Sequence, residues 1–238
     1  MHLRHRSAAD RLPRLTADTL REGTAALVRV EPGFARLVRD HGPPPLWVRA
    51  PGFPTLVRLI LEQQVSLVSA RAVYRRLCTA CGVQGGRLTA RHVVTLGEDG
   101  LRRVGFTRQK ASYVHGVAQD MTAGRLRLGA IDRLPGPEAR AALLAIRGVG
   151  PWTADVYRLV ALRELDVWPH GDVALADAAH RLLEWPTRPA QDALTAHAAQ
   201  WAPWRSVAAR LLWHGYLSLR AECGSLRDAT VRVSRRSG

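Results

Sequence analysis

The chain is short of the features that hold small or extracellular folds together. Its 238 residues include only three cysteines, Cys78, Cys81 and Cys223, an odd count that supplies no disulfide framework. Three is also too few for an iron–sulfur cluster held by four cysteines. No run of 18 apolar residues occurs, which excludes a membrane-spanning helix. The N-terminus, MHLRHRSAADRLPRL, is basic but lacks the apolar stretch of a secretory signal, so a cytoplasmic location is expected. Internal repeats and low-complexity tracts are missing. Acidic residues are scarce, 20 against 35 basic ones, which leaves a formal charge of +15. Lysine is nearly absent: Lys110 is the single one, and every other basic residue is Arg. A surplus this large concentrates phosphate at a protein surface and favours a polyanionic partner, nucleic acid first. Genomic base composition and a solvated basic face are the plainer readings of the same count.

What is present is ordinary globular material: 47% hydrophobic and 23% charged residues, over a length that suits one large domain or two small ones. Apolar residues recur at three- and four-residue spacing, and the spacing predicts an all-α fold. One long helix is expected from Phe53 to about Cys81, since no Gly or Pro follows Pro54 in that stretch. Further helices are expected over Thr16–Val30, Phe34–Asp40, Thr107–Ala123, Pro137–Ile146, Pro151–Arg163, Val173–Leu183, Pro189–Trp201 and Trp204–Leu219. Thr107, Asp172 and Thr187 stand at N-cap positions, and Pro137, Pro151 and Pro189 suit first helical turns. Arg125–Leu128 reads as a short extended piece. The break at His41-Gly42-Pro43-Pro44-Pro45 separates residues 1–50, a helical segment expected to pack with the C-terminal helices, from a core over 51–222. Residues 223–238 read as a basic, flexible tail. Cys78 and Cys81 form a C-x-x-C that closes a helical pattern, which argues against a redox motif.

The informative segment is Leu143–Ala154, followed by D-V-W-P-H-G-D over Asp166–Asp172. Gly148 and Gly150 lie between a helix expected to end at Arg147 and one starting at Pro151, which makes a tight turn. The next helix N-terminus offers free N–H groups and a positive dipole end, an anion site whose natural occupant on a basic protein is a phosphate. A plain helix–helix connection would show the same two glycines.

The L-E-Q-Q-V-S stretch with Gln63-Gln64, the residues I-R-G-V-G-P-W-T-A, the aspartate 22 positions after Gly150, and W-x-P-W-R-S over Trp201–Ser206 occur in this order. Together they resemble the helix–hairpin–helix DNA glycosylase superfamily, in its bacterial 3-methyladenine DNA glycosylase II branch, over roughly residues 50 to 220. The resemblance implies two helical lobes with a cleft between them, in a compact form without the N-terminal β-rich domain of well-known members. It implies damaged double-stranded DNA as partner, no obligatory protein partner, action as a monomer and no required cofactor.

The site residues follow from the resemblance. Asp172 is implied as the catalytic carboxylate, because cleaving a base from deoxyribose develops oxocarbenium character that a carboxylate stabilises; an ordinary N-cap is the plainer reading. Trp213 is implied to stack on the flipped base, with Trp152 and Tyr157 as further walls. Aromatic faces attract cationic alkylated purines by about 0.5–2 kcal/mol. Trp201 and Trp204 read as core. Gln64 resembles the residue pushed into the gap left by the flipped nucleotide. Gly148, Val149, Gly150, Thr153, Lys110 and Arg147 are implied contacts to DNA, with Arg205 a further phosphate candidate. The backbone carbonyls of Leu144, Ile146 and Val149 are implied to hold a monovalent cation. Trp152 stands where lyase-competent relatives carry a lysine nucleophile; it cannot form a Schiff base, so a monofunctional glycosylase is expected. A glycosylase for another lesion and a non-catalytic DNA-binding module remain alternatives.

Overall fold

The structure, a computed structural model, describes the backbone of residues 14–83 and 87–234 and the side chains up to Ala221. Twelve α-helices occur among the described residues, and no strand. In chain order they are α1 (Ala17–Val30), α2 (Pro32–His41), α3 (Phe53–Glu62), α4 (Leu67–Ala80), α5 (Ala90–Arg103) and α6 (Arg108–Thr122). Then follow α7 (Leu128–Ile131), α8 (Gly136–Leu144), α9 (Pro151–Tyr157), α10 (Val173–Leu182), α11 (Gln191–Ala198) and α12 (Arg205–Ser234). Contacts divide the described residues into two compact units, residues 48–164 with α3 to α9, and residues 14–47 with 165–234. The boundary at 165 thus runs inside the stretch that the sequence suggests as one core over 51–222.

The unit of residues 48–164 is centred on α3, whose Leu56, Leu59 and Ile60 are fully buried. Each such side chain contributes about 1.5–3 kcal/mol by leaving water. Helix α3 packs against α4, α6 and α9, while α5 pairs with α6. Two expectations fail here for visible reasons. The single helix over Phe53–Cys81 is broken at residues 63–66 without a Gly or Pro, and Ser66 caps α4 by accepting from Ser69 N at 3.1 Å. The extended piece at Arg125–Leu128 is a bend leading into the single turn of α7. Helix α5 falls where no helix is expected, because Gly97 interrupts it with φ +73°. Its start is a capping box in which His92 fills the role usual for Glu: Thr89 N donates to His92 Nδ1 at 3.2 Å. Beyond Tyr157, helix α9 widens into a π-turn over Arg158–Leu162. There Asp155, buried, binds Arg140 Nε at 2.8 Å and Arg158 at 3.2 Å, and Arg158 also meets Glu164.

In the other unit α1, α2 and α10 pack against α12. Trp201, buried, sits between Phe34 and Trp168 at ring-centroid distances of 5.3 and 5.5 Å. Arg210 is fully buried; its donors go to Leu46 O at 2.8 Å and Ser206 O at 3.1 Å, and burial lowers its pKa. Thr187 caps nothing: α11 starts at Gln191 after Ala190, and Pro189 precedes it. Helix α12 continues through Ser234, since no Pro follows Pro203, so the tail expected at 223 is helical to that point.

Candidate active site and candidate DNA-binding hairpin

Helix α8 ends at Leu144, short of the end at Ile146 or Arg147 that the sequence suggests. Ala145 N donates to Ala141 O, and Ile146 N to Leu143 O in a tightened last turn. The hairpin then runs to Gly150, with Val149 N donating to Ile146 O at 3.0 Å. Its two glycines do different work. Gly148 has φ +90°, and a Cβ there would overlap the ring of Tyr113 from α6. Gly150 has an extended backbone that any residue adopts, and a Cβ there would meet nothing within 4 Å. Gly148 is therefore required by the fold, whereas Gly150 faces open space just before the N-terminus of α9. Arg147 is exposed, its guanidinium 5.7 Å from the Tyr113 ring centroid. Gln109 Nε2 donates to the Tyr113 hydroxyl at 2.7 Å.

The α3–α4 break is tied to this hairpin. Gln63 Nε2 donates to Gly148 O at 2.9 Å and to Thr153 Oγ1 at 2.8 Å. Lys110 Nζ, from α6, donates to Leu61 O at 2.9 Å and Gln63 O at 2.7 Å. These are carbonyls that a helix end leaves without intrahelical donors. Burial pushes the Lys110 ammonium below its ordinary pKa. The next residue, Gln64, is exposed with φ +56°, a left-handed conformation that costs a non-glycine residue about 1–2 kcal/mol. Behind it residues 65–69 are all exposed, among them Val65, Leu67 and Val68.

Asp172, in the second unit, is 7% exposed. It caps α10, Oδ1 accepting from Leu175 N at 3.0 Å, while Oδ2 accepts from Trp213 Nε1 at 3.3 Å. The segment leading to it is pinned to the start of α12. Arg205 makes a bidentate pair with Asp166, both bonds 2.7 Å. Ser206, fully buried, accepts from Val167 N at 3.1 Å and donates its own N–H to Leu165 O. Arg205, Ser206 and Trp213 of one helix therefore fix both the approach to Asp172 and its carboxylate.

A family profile described as HhH-GPD superfamily base excision DNA repair protein matches residues 57–203, a span that holds both the hairpin and Asp172. The chain belongs to the HhH-GPD superfamily. One relative is AlkA of Mycobacterium tuberculosis, described as a probable bifunctional transcriptional activator/DNA repair enzyme. It is 35% identical over 164 residues, 66% of this chain and 32% of that protein. The chain also spans 64% of YfjP of Bacillus subtilis, at 25% identity. It therefore covers less than two thirds of either protein. Among solved structures, a DNA-3-methyladenine glycosidase from Bacillus halodurans superimposes with a TM-score of 0.68 at 26% identity, covering 89% of this chain and 95% of that one. The Schizosaccharomyces pombe 3-methyladenine DNA glycosylase Mag1, bound to abasic DNA, gives 0.72 at 23% identity, covering 81% and 95%, a likeness of fold.

In this HhH-GPD protein several residues stand otherwise than the sequence suggests. Tyr157 walls no pocket: it is fully buried, its hydroxyl accepting from Gly52 N at 2.8 Å and donating to Asp132 at 3.0 Å. Burial, then the Asp132 charge, raises its pKa. Thr153 is 1% exposed and bonded to Gln63, so it offers no hydroxyl to DNA. Arg205 spends its guanidinium on Asp166, and two of the three donors of Lys110 go to carbonyls. Val149 is buried and Trp152 half-buried at the start of α9. Trp213 is half-buried and touches the carboxylate through its N–H, which lies in the plane of the ring. Gln63, Tyr113 and Ser206 belong to the site's support; Gln63 and Ser206 lie in the L-E-Q-Q-V-S and W-x-P-W-R-S motifs with no role assigned to them, and nothing in the sequence marks Tyr113. Among the described residues no group of three or more His, Cys, Asp or Glu could hold a metal. Cys78 and Cys81 are free thiols at the end of α4, where burial pushes Cys81 up.

Proposed function

We propose that this chain is a monofunctional DNA glycosylase that hydrolyses the N-glycosidic bond of alkylated bases, 3-methyladenine and 7-methylguanine among them, in duplex DNA. The observation that carries the reading is the Asp172 carboxylate, held by Leu175 N on one oxygen and Trp213 Nε1 on the other, 22 residues after the hairpin. As the C1′–N bond breaks, positive charge grows on the deoxyribose, and a fixed, mostly buried carboxylate stabilises it and orients the attacking water. The base departs with the bonding electron pair; the cationic charge of an alkylated purine already weakens that bond. The Trp213 ring supplies a π-face for the flipped base.

The hairpin would hold the backbone. Gly150 lets a phosphate approach the N–H groups of α9, exposed Arg147 adds charge, and Gln64 with its exposed turn would fill the gap left by the base. The carbonyls of Leu144, Ile146 and Val149 are hard neutral donors that suit a monovalent cation, although Ile146 O also takes the bond from Val149 N. Lyase chemistry through position 152 lacks an amine there. The one lysine, Lys110, has its ammonium bound to two carbonyls.

The test is to incubate the protein with methylated duplex DNA, assaying free bases, alkali-labile sites, and adducts trapped with borohydride. Released 3-methyladenine with breaks only after alkali, and no trapped adduct, supports the reading. Breaks without alkali contradict the monofunctional part. DNA binding with no base released from any alkylated substrate overturns it in favour of another lesion or a binding module.

A further inference from the structure

We propose that Lys110 and Gln63 are positioning residues forming a two-sided clasp that sets the exposed Gln64 turn in register with the hairpin. The clasp has three parts, all within residues 48–164. Lys110 Nζ gathers the carbonyls of Leu61 and Gln63 at 2.9 and 2.7 Å, ending α3 where the sequence carries no breaker. Gln63 turns the other way and gives both hydrogens of its amide to the hairpin, to Gly148 O and Thr153 Oγ1. Gln64 then stands exposed in a left-handed conformation with no glycine to ease it, so an outside hold is needed at that turn.

The composition points to the same residue. All but one of 35 basic residues are Arg, so position 110 departs from a chain-wide preference. The reason is geometric. A compact ammonium with tetrahedral donors fits between two converging carbonyls, whereas a planar guanidinium carries its donors in a rigid fork. A residue that merely met phosphate would show no such exception, because Arg suits phosphate at least as well. Lys110 thus acts on DNA through Gln63 and the hairpin rather than by touching it. The consequence for DNA rests on the glycosylase reading; the clasp itself does not.

The experiment uses the full chain and the variants Lys110→Arg, Lys110→Met and Gln63→Leu, with thermal unfolding measured for each. The affinity of each for a duplex holding a stable abasic-site analogue is compared with that for undamaged duplex over a range of salt. The clasp predicts that all three variants lose roughly tenfold of that preference beyond any loss the two duplexes share, with the salt slope held. Lys110→Arg does not rescue. A phosphate contact predicts the reverse: Lys110→Met weakens both duplexes alike and lowers the salt slope by about one, and Lys110→Arg behaves as wild type. That result overturns the proposal. Amide hydrogen exchange supplies a readout without DNA. Residues 63–66 and 148–153 must speed up together in Gln63→Leu and in Lys110→Met, and acceleration confined to one segment also overturns it. If wild-type protein shows no preference for the abasic analogue, the glycosylase reading fails, and joint acceleration would still sustain the clasp.

Discussion

Substituting each hairpin glycine by Ala separates what the fold needs from what DNA needs. At Gly148 the new Cβ meets two penalties. The backbone sits at φ +90°, where an L-residue loses about 1–2 kcal/mol. The methyl group also overlaps the Tyr113 ring, which is backed by Gln109 and Arg147; forced overlap in a packed site costs about 1–3 kcal/mol. The two together come to about 2–5 kcal/mol, or a fall in Tm of roughly 5–20 °C for a chain of this size. At Gly150 the backbone is extended and the space open, so Gly150→Ala costs at most about 1 kcal/mol, through the poorer N-cap. It instead places a methyl group where a phosphate would approach, and affinity for duplex DNA falls roughly tenfold. Thermal unfolding and fluorescence anisotropy with a labelled duplex measure the pair. Equal losses of stability, or Gly150→Ala binding like wild type, would refute the division of labour.

Other predictions concern the supports. Trp213→Phe keeps a ring but removes the N–H to Asp172; the single-turnover rate should fall about tenfold with DNA affinity little changed, read by rapid quench and anisotropy. Asp155→Ala leaves Arg158, 12% exposed, with its Asp155 bond lost, and should destabilise by about 3 kcal/mol in urea unfolding. Tyr157 has a folded pKa raised by burial, so its contribution to stability is complete below the ordinary tyrosine value of about 10 and is lost as pH rises beyond it. Unfolding free energy should drop by up to about 1.4 kcal/mol per pH unit there, and Tyr157→Phe should remove most of that slope.

The parts of the fold written in local signals were legible before any coordinates. Of the expected N-caps, Thr107 and Asp172 cap the helices they precede while Thr187 does not, and Pro151 opens α9. The L-E-Q-Q-V-S stretch, the hairpin, the aspartate and W-x-P-W-R-S, four motifs in order along the chain, indicate the family. The features that failed to show are set by contacts distant in the chain. The break after Glu62 depends on a lysine 47 residues further on, and neither Gly nor Pro marks it. Tyr157 lies among residues that suit a pocket wall as well as a core; only its bonds to Gly52 and Asp132 decide. Arg205 looks like any other cation on a basic chain until Asp166, 39 residues earlier, takes its fork. Helix α5 was hidden by Gly97 and Gly100, since two glycines in one window read as a loop.

The role of Asp172 is tested most directly by Asp172→Asn on methylated duplex DNA under single-turnover conditions. Asn keeps the cap on Leu175 N, so the fold and DNA binding should persist. The charge is gone, and release of 3-methyladenine should fall by at least about a hundredfold. Release at the wild-type rate by a folded, DNA-binding Asp172→Asn protein would contradict the carboxylate's role and, with it, the account of the site.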